Sequence, residues 1–151
     1  MLSVNFIILL LISCLPIQSL PQKIDEDAIV GKWMSTEKNV EVEVYKVNDE
    51  FRAKVVWFDD TDDLSRPMET RKDLNNPDKK LRDHKILGMN VLKNLRFNPE
   101  NDRWENGIIY DANSGRHFSS VVYFNDDGLL EVKGYWKFEF LCQTVAFRRV
   151  Y

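Results

Sequence analysis

The sequence predicts an all-β fold, a single antiparallel up-and-down barrel of about eight strands. Two observations support this prediction. Apolar and polar residues alternate strictly along "VEVEVYKV", residues Val40–Val47, which is the pattern of a half-buried strand. Turn-forming residues then separate a series of similar segments, so that each strand joins the next through a hairpin. Closure of such a sheet removes its exposed edges.

The predicted strands follow one another along the chain with short connections. They are residues 33–35, 40–47, 50–58, 88–97, 103–111, 116–124, 129–136 and 143–150. A helical turn over 25–29 precedes the first strand. The polar segment 59–85 is far longer than a hairpin loop, so it is predicted to form a lid, a short helix or an excursion across an opening.

The N-terminal segment indicates export. Residues 1–22 carry no charged side chain, and their apolar run, 6–12, is too short to span a bilayer. We therefore expect a signal peptide over 1–19, a mature domain over 24–151 and a periplasmic or extracellular location. The run Leu11-Ile12-Ser13-Cys14 also matches the lipid-attachment pattern of bacterial lipoproteins, which leaves an anchor on Cys14 as the alternative.

Composition narrows the possible partners. The net charge of −3 argues against nucleic acid or an anionic membrane surface as partner, and no integral membrane span is expected.

The two cysteines are Cys14, within the predicted signal, and Cys142, so the mature chain has no internal disulfide. We interpret Cys142 as a small apolar residue of the core.

Hairpin register predicts which side chains share a face. The turn at Asn48-Asp49 pairs Val44 with Ala53, Val42 with Val55 and Val40 with Trp57 on the apolar face. It pairs Glu43 with Lys54 and Tyr45 with Arg52 on the other face.

The same reasoning over the later hairpins predicts the barrel interior. The predicted interior residues are Trp104, Ile108, Tyr110, His117, Ser119, Val121, Tyr123, Leu130, Val132, Gly134 and Trp136. The alternate, outward face is predicted to hold Arg103, Glu105, Asp111, Arg116, Glu131 and Lys133, and also Ile109, Phe118 and Tyr135. Ile108, Ser119 and Gly134 are expected to lie level, and two of these three are very small. Such a layer leaves room for a ligand cavity. The alternative is a filled core, with a strand bend or bulge at Gly134.

The start of the predicted barrel carries a Gly-x-Trp motif, Gly31 and Trp33. A helical turn followed by this motif resembles the lipocalin kernel, in which the tryptophan plugs the closed end and an arginine of the last strand packs over its ring. The resemblance implies Arg149 as the cover of Trp33, with Arg148 as the second choice.

Nearly the whole of 31–150 resembles the exported bacterial family catalogued as domain of unknown function 2147, which is lipocalin-like. The matching segments are Gly31/Trp33, Val42-Glu43-Val44-Tyr45, Ala53-Lys54-Val55-Val56-Trp57, Asn76-Pro77-Asp78, Ile86-Leu87-Gly88, Ile109-Tyr110-Asp111 with Ser114-Gly115, and Phe147-Arg148-Arg149. The chain departs from the family at Leu141-Cys142-Gln143-Thr144, where the family has Leu-Gly-Arg-Thr, and at Phe147, where it has tryptophan.

Catalysis finds no support in the sequence. His84 and His117 are the two histidines, and neither belongs to a recognisable nucleophile arrangement. The aspartates at 59, 60, 62 and 63 and the run 73–78 lack the spacing of a calcium loop, so we interpret both as solvated polar loops. We therefore expect no enzyme activity, no bound metal and no cofactor.

The function expected is non-enzymatic binding or carriage of a small, mainly apolar molecule. The candidate ligand-binding residues are Trp57, Tyr110, His117, Ser119, Gly134 and Trp136, and the structural residues are Gly31, Trp33 and Arg149. One alternative is a filled barrel that acts as an envelope-associated protein–protein interaction module. The other is a hydrolase with carboxylates beside the long loop.

Overall fold

Eight antiparallel strands close into one barrel in chain order, and the last strand pairs with the first. The computed structural model describes residues 23–137, 139 and 142–151. The strands are β1 (Gly31–Ser35), β2 (Val40–Val47), β3 (Glu50–Phe58), β4 (Asn90–Asn98), β5 (Arg103–Asp111), β6 (Arg116–Phe124), β7 (Leu130–Tyr135) and β8 (Cys142–Val150). The predicted all-β barrel is confirmed, and every predicted strand boundary lies within two residues of the observed one.

Helical structure in the described residues is limited to single 3-10 turns. They are Glu26–Ile29, Met68–Thr70 and Lys79–Leu81. No helix among the described residues has the length and apolar character needed to cross a bilayer. The predicted signal peptide over 1–19 and the alternative lipid attachment at Cys14 lie outside the described residues and stay predictions.

The β2–β3 hairpin has the predicted register until a bulge near its open end. Val44 pairs with Ala53 and Val42 with Val55, which places apolar side chains inside the barrel. Beyond Val55 an extra residue of β3 shifts the register, so Trp57 pairs with Glu41. The predicted pairing of Val40 with Trp57 is therefore wrong, and the indole is turned away from the interior.

Two asparagines in left-handed conformation reverse the faces of β4 and β5. Asn94 and Asn106 both have φ of 62°. Asn94 marks an extra residue in β4 relative to β3, and Asn106 marks an extra residue in β5 relative to β6. An extra residue moves every later side chain to the opposite face. Trp104 faces inward as predicted, but beyond Asn106 the inward positions of β5 become Gly107, Ile109 and Asp111.

The register of the β6–β7 hairpin differs from the prediction by one residue. Ser120 pairs with Gly134, whereas the prediction placed Ser119 there. The β5 bulge inverts the faces predicted for β6, so the predicted interior face of β6 is wrong. The register difference between β6 and β7 inverts the assignment a second time, so the predicted interior face of β7 is correct. The inward residues of β6 are Arg116, Phe118, Ser120, Val122 and Phe124.

A row of small residues does cross the barrel wall, one position away from the predicted row. Gly107, Ser120 and Gly134 are successive partners on β5, β6 and β7. A Cβ on Gly107 would lie 2.3 Å from Ser120 Oγ, so glycine is required by the close approach of the two strands. A Cβ on Gly134 would make only ordinary contacts, at 3.8 Å from Ile109 and Phe118. Space is therefore available beside Gly134.

One end of the barrel is closed by Trp33 and the N-terminal 3-10 turn. Trp33 is 2% exposed, and its Nε1 donates to the Ile29 carbonyl at 2.8 Å. The Arg149 guanidinium lies over the indole, 4.4 Å from the ring centroid, and donates to the carbonyls of Val30 and Ala28. Arg148 is exposed instead.

Gly31 makes room for this arginine. Its φ of +129° is a conformation that other residues rarely adopt, and a Cβ there would lie 2.8 Å from Arg149 Nη1. The Gly-x-Trp motif is therefore explained by contacts to both of its residues: the glycine admits the guanidinium that covers the tryptophan.

A second tryptophan holds the same turn from the opposite side of the barrel. Trp104 is fully buried, and its Nε1 donates to the Glu26 carbonyl at 2.9 Å. Phe124 packs between Trp104 and Trp33, with ring centroids 5.8 and 5.9 Å away. The closed end is thus a continuous aromatic layer.

The long segment between β3 and β4, residues 59–89, is here called the strap. It was predicted as a lid, a helix or an excursion across an opening, but none of its residues lines the barrel interior. Its second half packs on the outer face of β5 and β6, where Asn75 Nδ2 donates to the Asn113 carbonyl at 2.9 Å.

A buried carboxylate fixes the strap to the wall. Asp73 is 1% exposed, and its two oxygens accept from Tyr110 Oη at 2.8 Å and Asn76 Nδ2 at 2.6 Å. Burial, followed by the hydrogen bond to Asp73, raises the pKa of Tyr110 to about 12. Tyr110 therefore faces outward and serves as the anchor of the strap.

Replacement of Arg149 tests the closed end. Arg149→Ala should lower the free energy of unfolding by about 1–3 kcal/mol, because a cation–π contact is lost and two carbonyls lose their donor. Arg148→Ala, on the exposed neighbour, is the matched control and should cost less than about 0.5 kcal/mol. Denaturant titration measures both, and equal losses would contradict the proposed cover of Trp33.

Replacement of Tyr110 tests the anchor. Tyr110→Phe leaves the buried Asp73 carboxylate without one of its donors and should cost about 1–3 kcal/mol in denaturant unfolding. Tyr45→Phe, which removes an exposed hydroxyl, should be nearly neutral.

The pH dependence gives a second readout for the same anchor. The folded state keeps the Tyr110 proton up to about pH 12, whereas the unfolded chain releases it near the ordinary value of 10.0. Stability from this group is therefore complete below pH 10 and is lost as the pH rises towards 12. Tyr110→Phe should lose less stability than the parent across that window, and identical pH profiles would contradict the role of Tyr110.

Candidate functional site

The barrel interior contains a cavity of about 610 Å³. Its floor is formed by buried apolar side chains at the closed end, among them Ile29, Trp33, Leu130 and Phe147. Inward-facing residues of the strands continue the apolar lining upward. The cavity is therefore enclosed at the bottom by the same layer that closes the barrel.

The cavity wall is made of short and branched side chains. Val42, Val44 and Ala53 line it from β2 and β3, and Val122 and Val132 line it from β6 and β7. The four valines are β-branched and suit strands, and valine and alanine side chains project little into the interior. Together with the space beside Gly134, they explain why a barrel of eight strands remains partly empty.

Trp136 stands at the mouth, the end of the cavity opposite Trp33. It is 64% exposed, and its ring contacts Phe118 edge to face with centroids 6.2 Å apart. Cys142 lines the same rim from the start of β8 and is not in a disulfide. A large apolar side chain at the rim extends the apolar lining into solvent.

Charged side chains line the cavity at the mouth. Asp111 and Arg116 are cross-strand partners at the ends of β5 and β6, and the polar Gln143 lines the same cavity from β8. The Asp111 carboxylate accepts from the Asn113 amide at 2.9 Å and from Ser114 Oγ at 2.6 Å. Asp111 and Arg116 were predicted to face outward, like Glu105. The β5 bulge turns their side chains towards the cavity instead.

The structure places two of the six predicted ligand-binding residues on the cavity. Gly134 lines its wall and Trp136 its rim. Trp57 is 36% exposed beside Glu41, and Ser119 is exposed on the outer face of β6. The predicted inward position of Trp57 is wrong because of the bulge in β3. That of Ser119 is wrong because of the bulge in β5.

Tyr110 and His117 line a different space, outside the barrel. It is a cleft of about 320 Å³ between the strap and the outer wall, and His84 of the strap also borders it. The Tyr110 and His117 rings lie 4.9 Å apart. Their predicted inward positions are wrong as well, since both follow the bulge at Asn106.

The acidic cluster of the strap is organised by its own donors. Asp60 accepts from the Met68 amide at 2.7 Å, and Asp62 pairs with Arg71 at 2.7 Å. The Arg71 guanidinium lowers the pKa of Asp62. Ser65 and Arg66 lower the pKa of Asp63 to about 2. Among the described residues no group of histidine, cysteine and acidic side chains has the arrangement of a metal site.

Sequence reasoning missed the residues that line the upper cavity. Ile109, Phe118 and Val122 face inward, although Ile109 and Phe118 were assigned outward. The signal that could have found them is asparagine at Asn94 and Asn106, a residue that tolerates positive φ, within two strand patterns.

Comparison with known proteins agrees with this architecture. A family model described as "Uncharacterized protein conserved in bacteria (DUF2147)" matches residues 31–149. No curated protein matches the chain significantly. Among solved structures, the chain is similar to protein HP1028 from the human pathogen Helicobacter pylori, which is described as belonging to the lipocalin family.

That likeness has 23% sequence identity and a TM-score of 0.67, and it covers 82% of this chain and 83% of the other. At this identity it establishes the fold, a lipocalin-like barrel, and says nothing further about activity. Because the family model spans most of the chain, the protein belongs to the bacterial DUF2147 family.

Proposed function

We propose that this protein binds a small, mainly apolar molecule inside its barrel without transforming it. The observation that carries this proposal is the cavity of about 610 Å³ between Trp33 and the mouth. Ligand sites in proteins have volumes of roughly 300–1,000 Å³ and are mostly apolar. The cavity fits that range and that character.

The lining favours an apolar occupant over a polar one. Between the floor and the rim, the side chains that line the cavity are aliphatic or aromatic, such as Val44, Val122 and Phe118. Burial of apolar surface against them contributes about 25 cal/mol per Å² to binding, before the cost of immobilising the ligand. A polar molecule would lose its hydration there without gaining hydrogen bonds.

The fold family supports the same proposal at a coarser level. A lipocalin-like barrel is suited to enclosing a small molecule, since eight strands leave an interior that side chains either fill or share with one ligand. In this chain the space beside Gly134 and the valine-rich wall leave the interior partly open. The alternative of a filled barrel that acts through its surface gives no role to this space.

The polar cleft beside the strap does not compete as an active site. Its most buried ionisable group, Asp73, already accepts from Tyr110 and Asn76 and holds the strap in place. A structural role explains those contacts fully. We therefore propose binding alone, with the barrel cavity as its site.

Filling the cavity tests the proposal. An apolar fluorescent probe should bind the parent protein, and Gly134→Leu should weaken its binding at least about tenfold by occupying the space beside Ile109 and Phe118. The stability of the variant should fall by less than about 1 kcal/mol, since the new side chain enters a void. Fluorescence titration and thermal unfolding measure the two effects.

Ser119→Leu is the matched control for this experiment. It adds the same side chain on the exposed outer face of the adjacent strand and should leave probe binding unchanged. Failure of the parent to bind any apolar probe, together with a loss of about 1–3 kcal/mol in Gly134→Leu, would indicate a filled core and favour the surface-module alternative.

We also propose that binding takes place outside the cytoplasm, on the basis of the apolar, uncharged segment 1–22. When the whole chain is expressed in a Gram-negative host, the mature protein should begin near Leu20, as N-terminal sequencing and mass spectrometry of the periplasmic fraction measure. A lipid-sized mass increase that Cys14→Ser abolishes would support the anchored alternative. Recovery of the chain with Met1 retained would contradict export.

A further inference from the structure

We propose that the occupant of the cavity is an amphipathic anion, whose carboxylate or similar head group lies at Arg116 and whose apolar tail extends towards Trp33. This inference rests on the proposed function, because it assigns a chemical class and an orientation to the same ligand. Two observations support it: the distribution of charge along the cavity, and the hydrogen bonding of the two charged side chains at its mouth.

Charge is confined to one end of the cavity. Among its described lining residues, the ionised side chains are Asp111 and Arg116, which are paired in register at the ends of β5 and β6. The other end is the apolar floor formed around Trp33 and Phe147, which are 2% and 8% exposed. A molecule that matches this profile has one polar end and one apolar end.

The two charged groups at the mouth are not equally available. Asp111 accepts hydrogen bonds on both carboxylate oxygens, from the Asn113 amide and from Ser114 Oγ, and so holds the β5–β6 turn. The Arg116 guanidinium makes no hydrogen bond or ion pair with any residue that the structure describes, although Asp111 is its cross-strand neighbour. Among the described residues, the charged group at the mouth that keeps its donors available to a ligand is therefore the exposed, cationic Arg116.

A guanidinium recognises an acceptor with negative charge. Its planar donors match the two oxygens of a carboxylate, which gives a charge-assisted, bidentate contact. Gln143, the cross-strand partner of the inward-facing Gly134, also lines the cavity and can donate a further hydrogen bond to such a head group. An amine head group would instead face the positive charge of Arg116, and each Asp111 oxygen that could attract it already accepts one hydrogen bond.

The expected preference is modest, because Arg116 is exposed. Exposed charge pairs change an affinity by a small factor, here about fivefold, and salt screens them. The apolar tail supplies most of the affinity, and the head group sets its orientation and selectivity. The inference therefore predicts a difference between ligands of equal chain length rather than binding that depends wholly on charge.

The test compares three probes that share one alkyl chain: decanoate, decanol and decylamine. Their affinities are measured at low salt by displacement of an apolar fluorescent probe from the parent protein. Decanoate should bind about fivefold more tightly than decanol, and decylamine should bind most weakly. Added salt should reduce the advantage of decanoate and leave decanol unaffected.

Variants at the mouth assign the preference to Arg116. Arg116→Gln should bring decanoate and decanol to within about twofold of each other, while Arg116→Lys should retain part of the difference. Arg148→Gln removes one positive charge from the exposed face of β8 and serves as the matched control, with the preference unchanged. Asp111→Asn removes the neighbouring negative charge and should increase the affinity for decanoate.

Orientation gives a readout that a merely structural arginine would not change. Bromine quenches nearby indole fluorescence, so α-bromodecanoate should quench Trp136 at the rim and ω-bromodecanoate should quench Trp33 at the floor. Trp136→Phe should therefore abolish quenching by the α-bromo probe and preserve quenching by the ω-bromo probe. The opposite pattern would overturn the proposed orientation.

The outcomes separate this inference from the proposed function. Equal binding of all three probes, or a decanoate preference that survives Arg116→Gln, would overturn the anionic head-group site and leave apolar binding intact. Absence of binding by decanol and decanoate alike would overturn the proposed function itself. The decanoate preference, its salt dependence and its loss in Arg116→Gln together would support the inference.

Discussion

The contact between Arg149 and Trp33 reinforces the pairing that closes the sheet. β1 has five residues and forms four register pairs with β8, and one cation–π contact with two carbonyl hydrogen bonds strengthens this junction of the first and last strands. Trp33, held by this contact, forms part of the floor that closes the interior from below. Without that floor the cavity would be a channel, and an apolar molecule inside it would remain in contact with water.

The bulges that bend the barrel also decide what its interior contains. Asn94 and Asn106 lie on neighbouring strands, so the register between β4 and β5 is the same on both sides of them. Gly107 follows at once, which lets β6 approach closely. These local irregularities bring Ile109, Asp111 and Phe118 inward and send Tyr110 and His117 outward, where they contact the strap.

The barrel architecture was predictable because the alternation of apolar and polar residues and the turn residues are local signals. The closed end was predictable because Gly31, Trp33 and Arg149 resemble the lipocalin kernel. The side-chain faces of β6 were not predictable by counting. A strand pattern has a period of two, so a single extra residue at Asn106 inverts every later assignment. Gly134 and Trp136 were placed correctly only because a one-residue difference in the β6–β7 turn compensated for that inversion. Trp57 had no such compensation.

The geometry of the N-terminal 3-10 turn has a consequence for tethering. The chain enters the fold at the closed end, where Glu26 and Asp27 pair with Lys46 and the Glu26 carbonyl accepts from Trp104. The last strand also finishes there, since Lys32 pairs with Val150. The described chain therefore enters and leaves the barrel at the pole opposite the mouth. A protein immobilised through a tag placed after Tyr151 is expected to keep the mouth of its cavity directed away from the support.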